Sequence, residues 1–344
     1  MFYRILEESE KLERTGRSVL RIPLHPWGGA RYLCTITIEQ TAFRMLLDTG
    51  SPSIWVPSDR VDKSLWIGKN LLKIVRETSL RFSHEFFYQT YGAGDVSGVK
   101  ATVNMNFGGM LIRSVPIGLV ILGDEGVYNS PFDGIVGLGR QSTCPEHTNP
   151  VFYHIHQQGL MSRKFGFSFQ NSGASFLLGD NLEKFISKDM TYIKVIDGPY
   201  WETSINWIFI SNIGFSTGDH KMAFDTGTDG IHLPGDIHMA INDVLGIWKT
   251  IYQTYVFECE MLPFLPPVAF EIQGKVFQIM PKQYTKQTII DGVAICSTRF
   301  YNTTADFPVG IMLGMSFLHS FQLIFDDHAG TVGFAARTGR SSIV

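Results

Sequence analysis

Apolar and polar positions alternate with a partial period of two over Arg31-Tyr-Leu-Cys-Thr-Ile-Thr-Ile38, and the apolar run Phe43-Arg-Met-Leu-Leu47 follows directly. This pattern predicts strands rather than helices. Strand texture begins at Val19. It fades across residues 59–80, where Lys and Leu mix as in a helical insertion, and returns from Phe82 to about residue 140. Gly108-Gly109 between apolar stretches signals a hairpin. His147–Met161 reads as a helix entered through Asn149-Pro150 and stopped by Gly159. The second half repeats the style, with strands near 191–211, a helix near 235–247 and further strands to Phe334. Residues 1–18 read as a polar N-terminal tail.

Composition sharpens this into an all-β expectation. The chain has 344 residues, and its 34 glycines and 26 phenylalanines suit many short strands joined by tight turns. Such a length needs one large fold or two packed lobes. A net charge of −3 without a Lys/Arg cluster argues against a nucleic-acid surface. The longest apolar stretches, such as Ile117–Leu122, fall far below the roughly 18–20 residues that cross a bilayer, so no membrane span is expected. The charged start lacks the apolar segment of a secretory signal. Cys34, Cys144, Cys259 and Cys296 form no CxxC and no paired His spacing, which disfavours zinc. His147, His154 and His156 do not gather three ligands on one helix face, so packing or exposed roles are expected and no metal site.

The chemistry centres on two Asp-Thr-Gly triads, Asp48-Thr49-Gly50 and Asp225-Thr226-Gly227. Either alone reads as an Asx-type turn. Together they carry more weight, because each ends an apolar strand and each is followed by a hydroxyl residue, Ser51 or Thr228. An apolar-apolar-Gly step follows each: Gly137 lies 89 residues after Asp48, and Gly314 lies 89 residues after Asp225. Two halves with one internal order predict duplicated lobes, each bringing one aspartate to a shared cleft. Peptide hydrolysis by water needs a base for the water and an acid for the carbonyl oxygen and leaving amine. Two adjacent carboxyls sharing one proton supply both. The glycines permit tight turns that aim N–H groups at the carboxylates. Thr49 and Thr226 would tie the loops together, and Ser51 and Thr228 would meet the outer carboxylate oxygens.

The segments DTGSPSIWVPS (48–58), YGAGDVSG (91–98), PFDGIVGLG (131–139), AFDTGT (223–228) and IMLGMSFLHSFQLIFDDHAGTVGFA (311–335) resemble the pepsin/cathepsin D family of aspartic proteases. The likeness runs from about residue 19 to 336. It implies a bilobal, all-β pepsin-like fold with an N-terminal lobe at 19–188, a C-terminal lobe at 189–336 and a tail at 337–344. Tyr91, with Gly92 and Gly94, would form the flap over substrate, and Trp55 would support the tyrosine. Phe132 and Ile135 would line the pocket beside the scissile bond and favour a bulky apolar residue. Cys259 and Cys296 match the family's C-terminal-lobe disulfide, leaving Cys34 and Cys144 as free thiols. The resemblance implies a monomeric aspartic endopeptidase that binds extended peptides, needs no cofactor and works at acidic pH. It also implies a secreted or endolysosomal/vacuolar location, which the sequon Asn302-Thr303-Thr304 would suit.

Two features depart from the family. Asp229 stands where relatives carry Ser or Thr, and is expected to add a third acid to the cleft and bias it toward a basic or unencumbered substrate residue. Val19-Leu-Arg-Ile-Pro-Leu-His25 resembles the start of a prosegment, yet Arg31-Tyr32-Leu33 opens a mature-like strand almost at once. Acidification is therefore expected to trim N-terminal residues only. The competing reading is a catalytically inactive homologue that still binds peptides. The intact aspartates, triad glycines and Tyr91 weigh against it.

Overall fold

The computed structural model describes residues 19–27, 31–75, 77–143, 149–170, 173–290, 292–303 and 309–344. Its elements are mostly strands, with short helices between them. The chain divides into two compact units. One comprises a stretch ending at Trp27 together with Tyr32–Phe165 and Gln170–Leu182, and the other Gly166–Phe169 and Glu183–Val344, with Arg31. The division near Leu182 falls slightly before the expected lobe boundary at residue 188.

The first unit is built on β1 (Val19–Trp27), β2 (Arg31–Ile38), β3 (Thr41–Asp48), β4 (Ile54–Pro57), β5 (Arg81–Tyr91), β6 (Gly94–Phe107), β7 (Met110–Gly123) and β8 (Gly134–Gly137). It also holds the start of β9 (Lys164–Gln170) and all of β10 (Gly173–Gly179). Within it the strands lie in the order β10-β1-β2-β3-β8-β4-β7-β6-β5. β3 and β8 run parallel, with Asp48 opposite Gly137. Met45 to Asp48 and the whole of β8 are buried, as expected where a parallel pair is covered on both faces. β4 returns antiparallel to β8, placing Trp55 opposite Ile135. β6 and β7 form the hairpin read from Gly108-Gly109, whose φ values of 61° and 95° only glycine adopts readily.

The second unit repeats the motif. Lys221–Phe224, which delivers the second triad, runs parallel to Ile311–Leu313, and Ile231–Leu233 pairs antiparallel to that same strand. Phe224 faces Leu313 just as Asp48 faces Gly137, one step along. The equal spacings in sequence thus correspond to one three-strand motif made twice. Phe270, Phe277, Phe317, Phe321 and Phe334 are fully buried in its core and meet mainly edge to face. The helix Gly235–Val244 packs against strands Ile231–Leu233 and Phe300–Asn302.

Three expectations need correction or narrowing. Residues 59–80 contain no helix among those described. An Asx turn, with Ser64 N–H and Oγ–H both donating to Asp62 Oδ1, and a left-handed Gly68 at φ 74° interrupt any helical run. Val61, Trp66 and Leu72 nonetheless bury their side chains. The helix expected over His147–Met161 is shorter, Val151–Gln157, and Gly159 at φ 69° follows its end. Residues 337–344 are no loose tail: Ser341–Ile343 adds an edge strand to Lys275–Ile279. No helix among the described residues is long and apolar enough to cross a membrane.

Candidate active site

β3 ends on Asp48, which is 4% exposed. The Gly50 N–H donates to Asp48 Oδ1 at 2.8 Å, and Ser51 Oγ–H donates to Oδ2 at 2.5 Å. The Asp48 carbonyl accepts from Leu138 N at 2.7 Å, tying the turn to β8. Gly137 must be glycine, since a Cβ there would lie 2.2 Å from the Pro52 carbonyl carbon. In the second unit Gly227 N–H donates to Asp225 Oδ1 at 2.7 Å, and Thr228 Oγ1–H donates to Oδ2 at 2.6 Å. Gly314 makes the matching close approach, where a Cβ would lie 2.3 Å from the Gly230 carbonyl oxygen. Each carboxylate is therefore oriented at both oxygens by neutral donors two and three residues downstream. Thr49 and Thr226 are buried beside them.

The residues expected to form the flap lie together in the first unit. Tyr91 ends β5, Gly92 and Ala93 form the turn, and Tyr91 pairs with Gly94. At Gly94 φ is 128°, and a Cβ would meet Asp124. Trp55 Nε1–H donates to the Tyr91 hydroxyl at 2.9 Å from a fully buried indole. Burial raises the Tyr91 pKa, the Asp48 charge raises it further, and hydrogen bonds to Ser51 and Trp55 oppose both. The phenol therefore stays protonated. A hydrogen-bonded run links Trp55, Tyr91, Ser51 and Asp48. Phe132 and Ile135 join the apolar cluster around Trp55, with the Phe132 ring inclined 66° to the indole at a centroid distance of 6.3 Å.

Asp229 does not stand as a free third acid. Its Oδ1 pairs with Arg299 Nη1 at 2.8 Å, and the Arg299 side chain is only 7% exposed. Arg299 Nε–H also donates to the Thr285 carbonyl. The extra negative charge expected from the sequence is thus balanced by a cation 70 residues away. His232 was not singled out by sequence either. It packs against Tyr301 at 5.3 Å, and its pKa is lowered, because burial outweighs the opposing charges of Asp225 and Asp229.

Cys259 and Cys296 are joined by a disulfide, with Cα atoms 5.0 Å apart. Cys34 is a free buried thiol whose pKa burial pushes up to about 12. His154 and His156 lie on the helix Val151–Gln157, and His156 Nδ1 meets the Met161 carbonyl oxygen at 3.3 Å. Cys144, His147, the tail 1–18 and Thr304 of the sequon lie outside the described residues.

Comparisons with known proteins identify the family. The sequence model of the family described as eukaryotic aspartyl protease matches residues 31–337. Pepsin A of Bos taurus is 26% identical over 95% of this chain and 90% of its own length. Cathepsin D of Chionodraco hamatus is 27% identical over 85% of this chain and 77% of its own, and a probable vacuolar protease A of Trichophyton verrucosum is 28% identical over 89% and 78%. With nearly its whole length covered and both triads held in matching cradles, the chain belongs to the eukaryotic aspartyl protease family.

Proposed function

We propose that this aspartyl protease cuts peptide bonds in extended segments, at acidic pH, using one water activated jointly by Asp48 and Asp225. The observation that carries the reading is the matched pair of cradles, each holding one carboxylate oxygen by a backbone N–H and the other by a hydroxyl. Such holds orient a carboxylate without supplying a full positive charge to suppress its proton exchange. Two carboxyls sharing one proton is the known behaviour of this enzyme class. The ionised carboxylate takes a proton from water as the water oxygen bonds to the scissile carbonyl carbon. The protonated carboxyl gives its proton to the carbonyl oxygen. Collapse of the resulting diol breaks the C–N bond and passes a proton to the leaving amine. The pair titrates as a unit, so base and acid are not divided between the two residues.

Thr49 and Thr226 are proposed to stiffen the two loops, and Tyr91 to close over substrate with Trp55 behind it. Phe132 and Ile135 would wall a subsite for a bulky apolar side chain. Substrate would bind as an extended strand, partly through backbone hydrogen bonds. We also propose a monomer that is secreted or resident in a lysosomal or vacuolar compartment. The Cys259–Cys296 disulfide supports that location, as do relatives named as vacuolar proteases.

The deciding assay is hydrolysis of a denatured protein at acidic pH, with and without a statine-type inhibitor. Asp48→Asn and Asp225→Asn should each lower turnover by at least about a thousandfold. Turnover surviving either change would end the mechanism. Wild-type protein that binds the inhibitor but cuts nothing would instead favour the inactive, peptide-binding reading.

A further inference from the structure

Ahead of β8, the loop 130–133 carries Phe132 and leads into Ile135. The turn segment 59–80 reaches this loop through two consecutive side chains. Lys69 Nζ donates to the Phe132 carbonyl at 2.6 Å, to the Ser130 carbonyl and to Ser130 Oγ at 3.2 Å. The same ammonium lies 5.8 Å from the centroid of the Phe132 ring. Asn70 then holds the next residue, donating to the Asp133 carboxylate from its backbone N at 3.2 Å and from Nδ2 at 2.8 Å.

Asp133 is fully buried, and Arg44 of β3 completes its shell with Nη2 at 2.7 Å, Nε at 3.3 Å and backbone N at 2.8 Å. Arg44 Nη2 also donates to the Gly68 carbonyl at 2.8 Å, which closes a ring of contacts through residues 68–70, β3 and the loop. In that ring Asp133 and Arg44 offset each other in charge, so Lys69 is left to grip backbone carbonyls and an aromatic face.

We propose that Lys69 is a positioning residue that sets the apolar subsite walled by Phe132 and Ile135, and so governs selection for a bulky substrate residue beside the cut. The inference rests on the subsite reading above and names what holds that wall in place. Two carbonyl contacts fix the backbone on either side of Phe132, while the ammonium lies over the ring that packs at a steep angle to Trp55. Burial draws the Lys69 pKa down to about 8, with Asp133 opposing and Arg44 adding to the fall, so the group is a cation in acidic conditions.

The test compares two peptides that differ only in Phe or Ala before the scissile bond. Lys69→Met should lower kcat/KM for the Phe peptide about tenfold, mainly through KM, and change the Ala peptide by less than about twofold. Lys69→Arg, which keeps the cation and its donors, should restore most of the selectivity. An unchanged Phe/Ala ratio in Lys69→Met, or equal losses for both peptides, overturns the proposal. If Lys69→Met does not fold, Lys69→Gln decides, because it removes the ammonium at the same position with a polar side chain; an unchanged ratio there has the same force. Phe132→Ala separates the two readings. If it leaves the ratio untouched, the subsite assignment itself fails and the role of Lys69 falls with it. If it shifts the ratio while Lys69→Met does not, only the role of Lys69 is rejected.

Discussion

His319 packs nearly perpendicular to Phe169 at a centroid distance of 5.0 Å, with Arg340 Nη1 3.5 Å from its Nδ1 and Arg337 donating to its carbonyl. Burial, followed by the charges of Arg337, Arg340 and Arg299, lowers its pKa to about 3. The sign follows directly. A base with a depressed folded-state pKa contributes stability that is complete above its unfolded value, near 6.5, and is lost as pH falls toward 3. His232 and His238 are shifted the same way, chiefly by burial. Urea unfolding between pH 6.5 and 3.5 should therefore show stability falling with acidity. His319→Gln should remove up to about 1.4 kcal/mol per pH unit from that slope. An identical slope in the variant would contradict the assignment. The Asp229–Arg299 pair makes a second residue-scale prediction. Asp229→Ser strands a buried guanidinium and should cost about 3 kcal/mol, whereas the double variant Asp229→Ser/Arg299→Met should recover most of it. A double-mutant cycle by chemical denaturation measures this, and additive losses would mean the two groups are not coupled.

Each triad belongs to an element pair rather than to a loop alone. The turn after β3 is clamped to β8 by Leu138 N to the Asp48 carbonyl and by Gly139 N to the Ser51 carbonyl. The turn after Phe224 is clamped by Asp225 N to the Leu313 carbonyl and Met315 N to the Thr228 carbonyl. Gly137→Ala forces a methyl onto the Pro52–Ser53 backbone, at 2.2 to 2.4 Å, and backbone cannot rotate away as a side chain can. It should cost at least about 2 kcal/mol in stability and lower turnover more than it weakens inhibitor binding. Full turnover in Gly137→Ala would show that the close approach is not needed for function. Beside Tyr91, Trp55→Phe keeps an aromatic ring but removes the donor to the Tyr91 hydroxyl. The expected result is a kcat/KM about tenfold lower, together with a lowered melting temperature, because the smaller ring leaves a cavity at a fully buried site.

At the scale of the molecule, the Cys259–Cys296 bridge closes a loop with a sequence separation of 37 residues in the second unit. The loop-entropy model assigns it about 3–4 kcal/mol, so paired Cys→Ser changes should lower the unfolding free energy by that order. Much of the fold was legible from local pattern. The β3 run, the Gly108-Gly109 hairpin, the helix stopped at Gly159 and both Asp turns are written in consecutive residues, whose period, turn chemistry and φ demands act at short range. Segment 59–80 is hard to read from sequence because its mixed Lys/Leu pattern resembles a helix, while its conformation is set by an Asx turn, Gly68 and burial against the first unit's core. The terminal strand Ser341–Ile343 was missed because an edge strand is chosen by the strand it joins. From the sequence alone came the two triads, their equal spacing to Gly137 and Gly314, and hence the family. Only the tertiary structure decided that Asp229 is neutralised by Arg299, that Lys69 and Asn70 clasp the Phe132 loop, and that His319 is surrounded by arginines. Such pairings join residues from 18 to 70 positions apart, and a charge leaves no periodic trace of the partner that folding will bring to it.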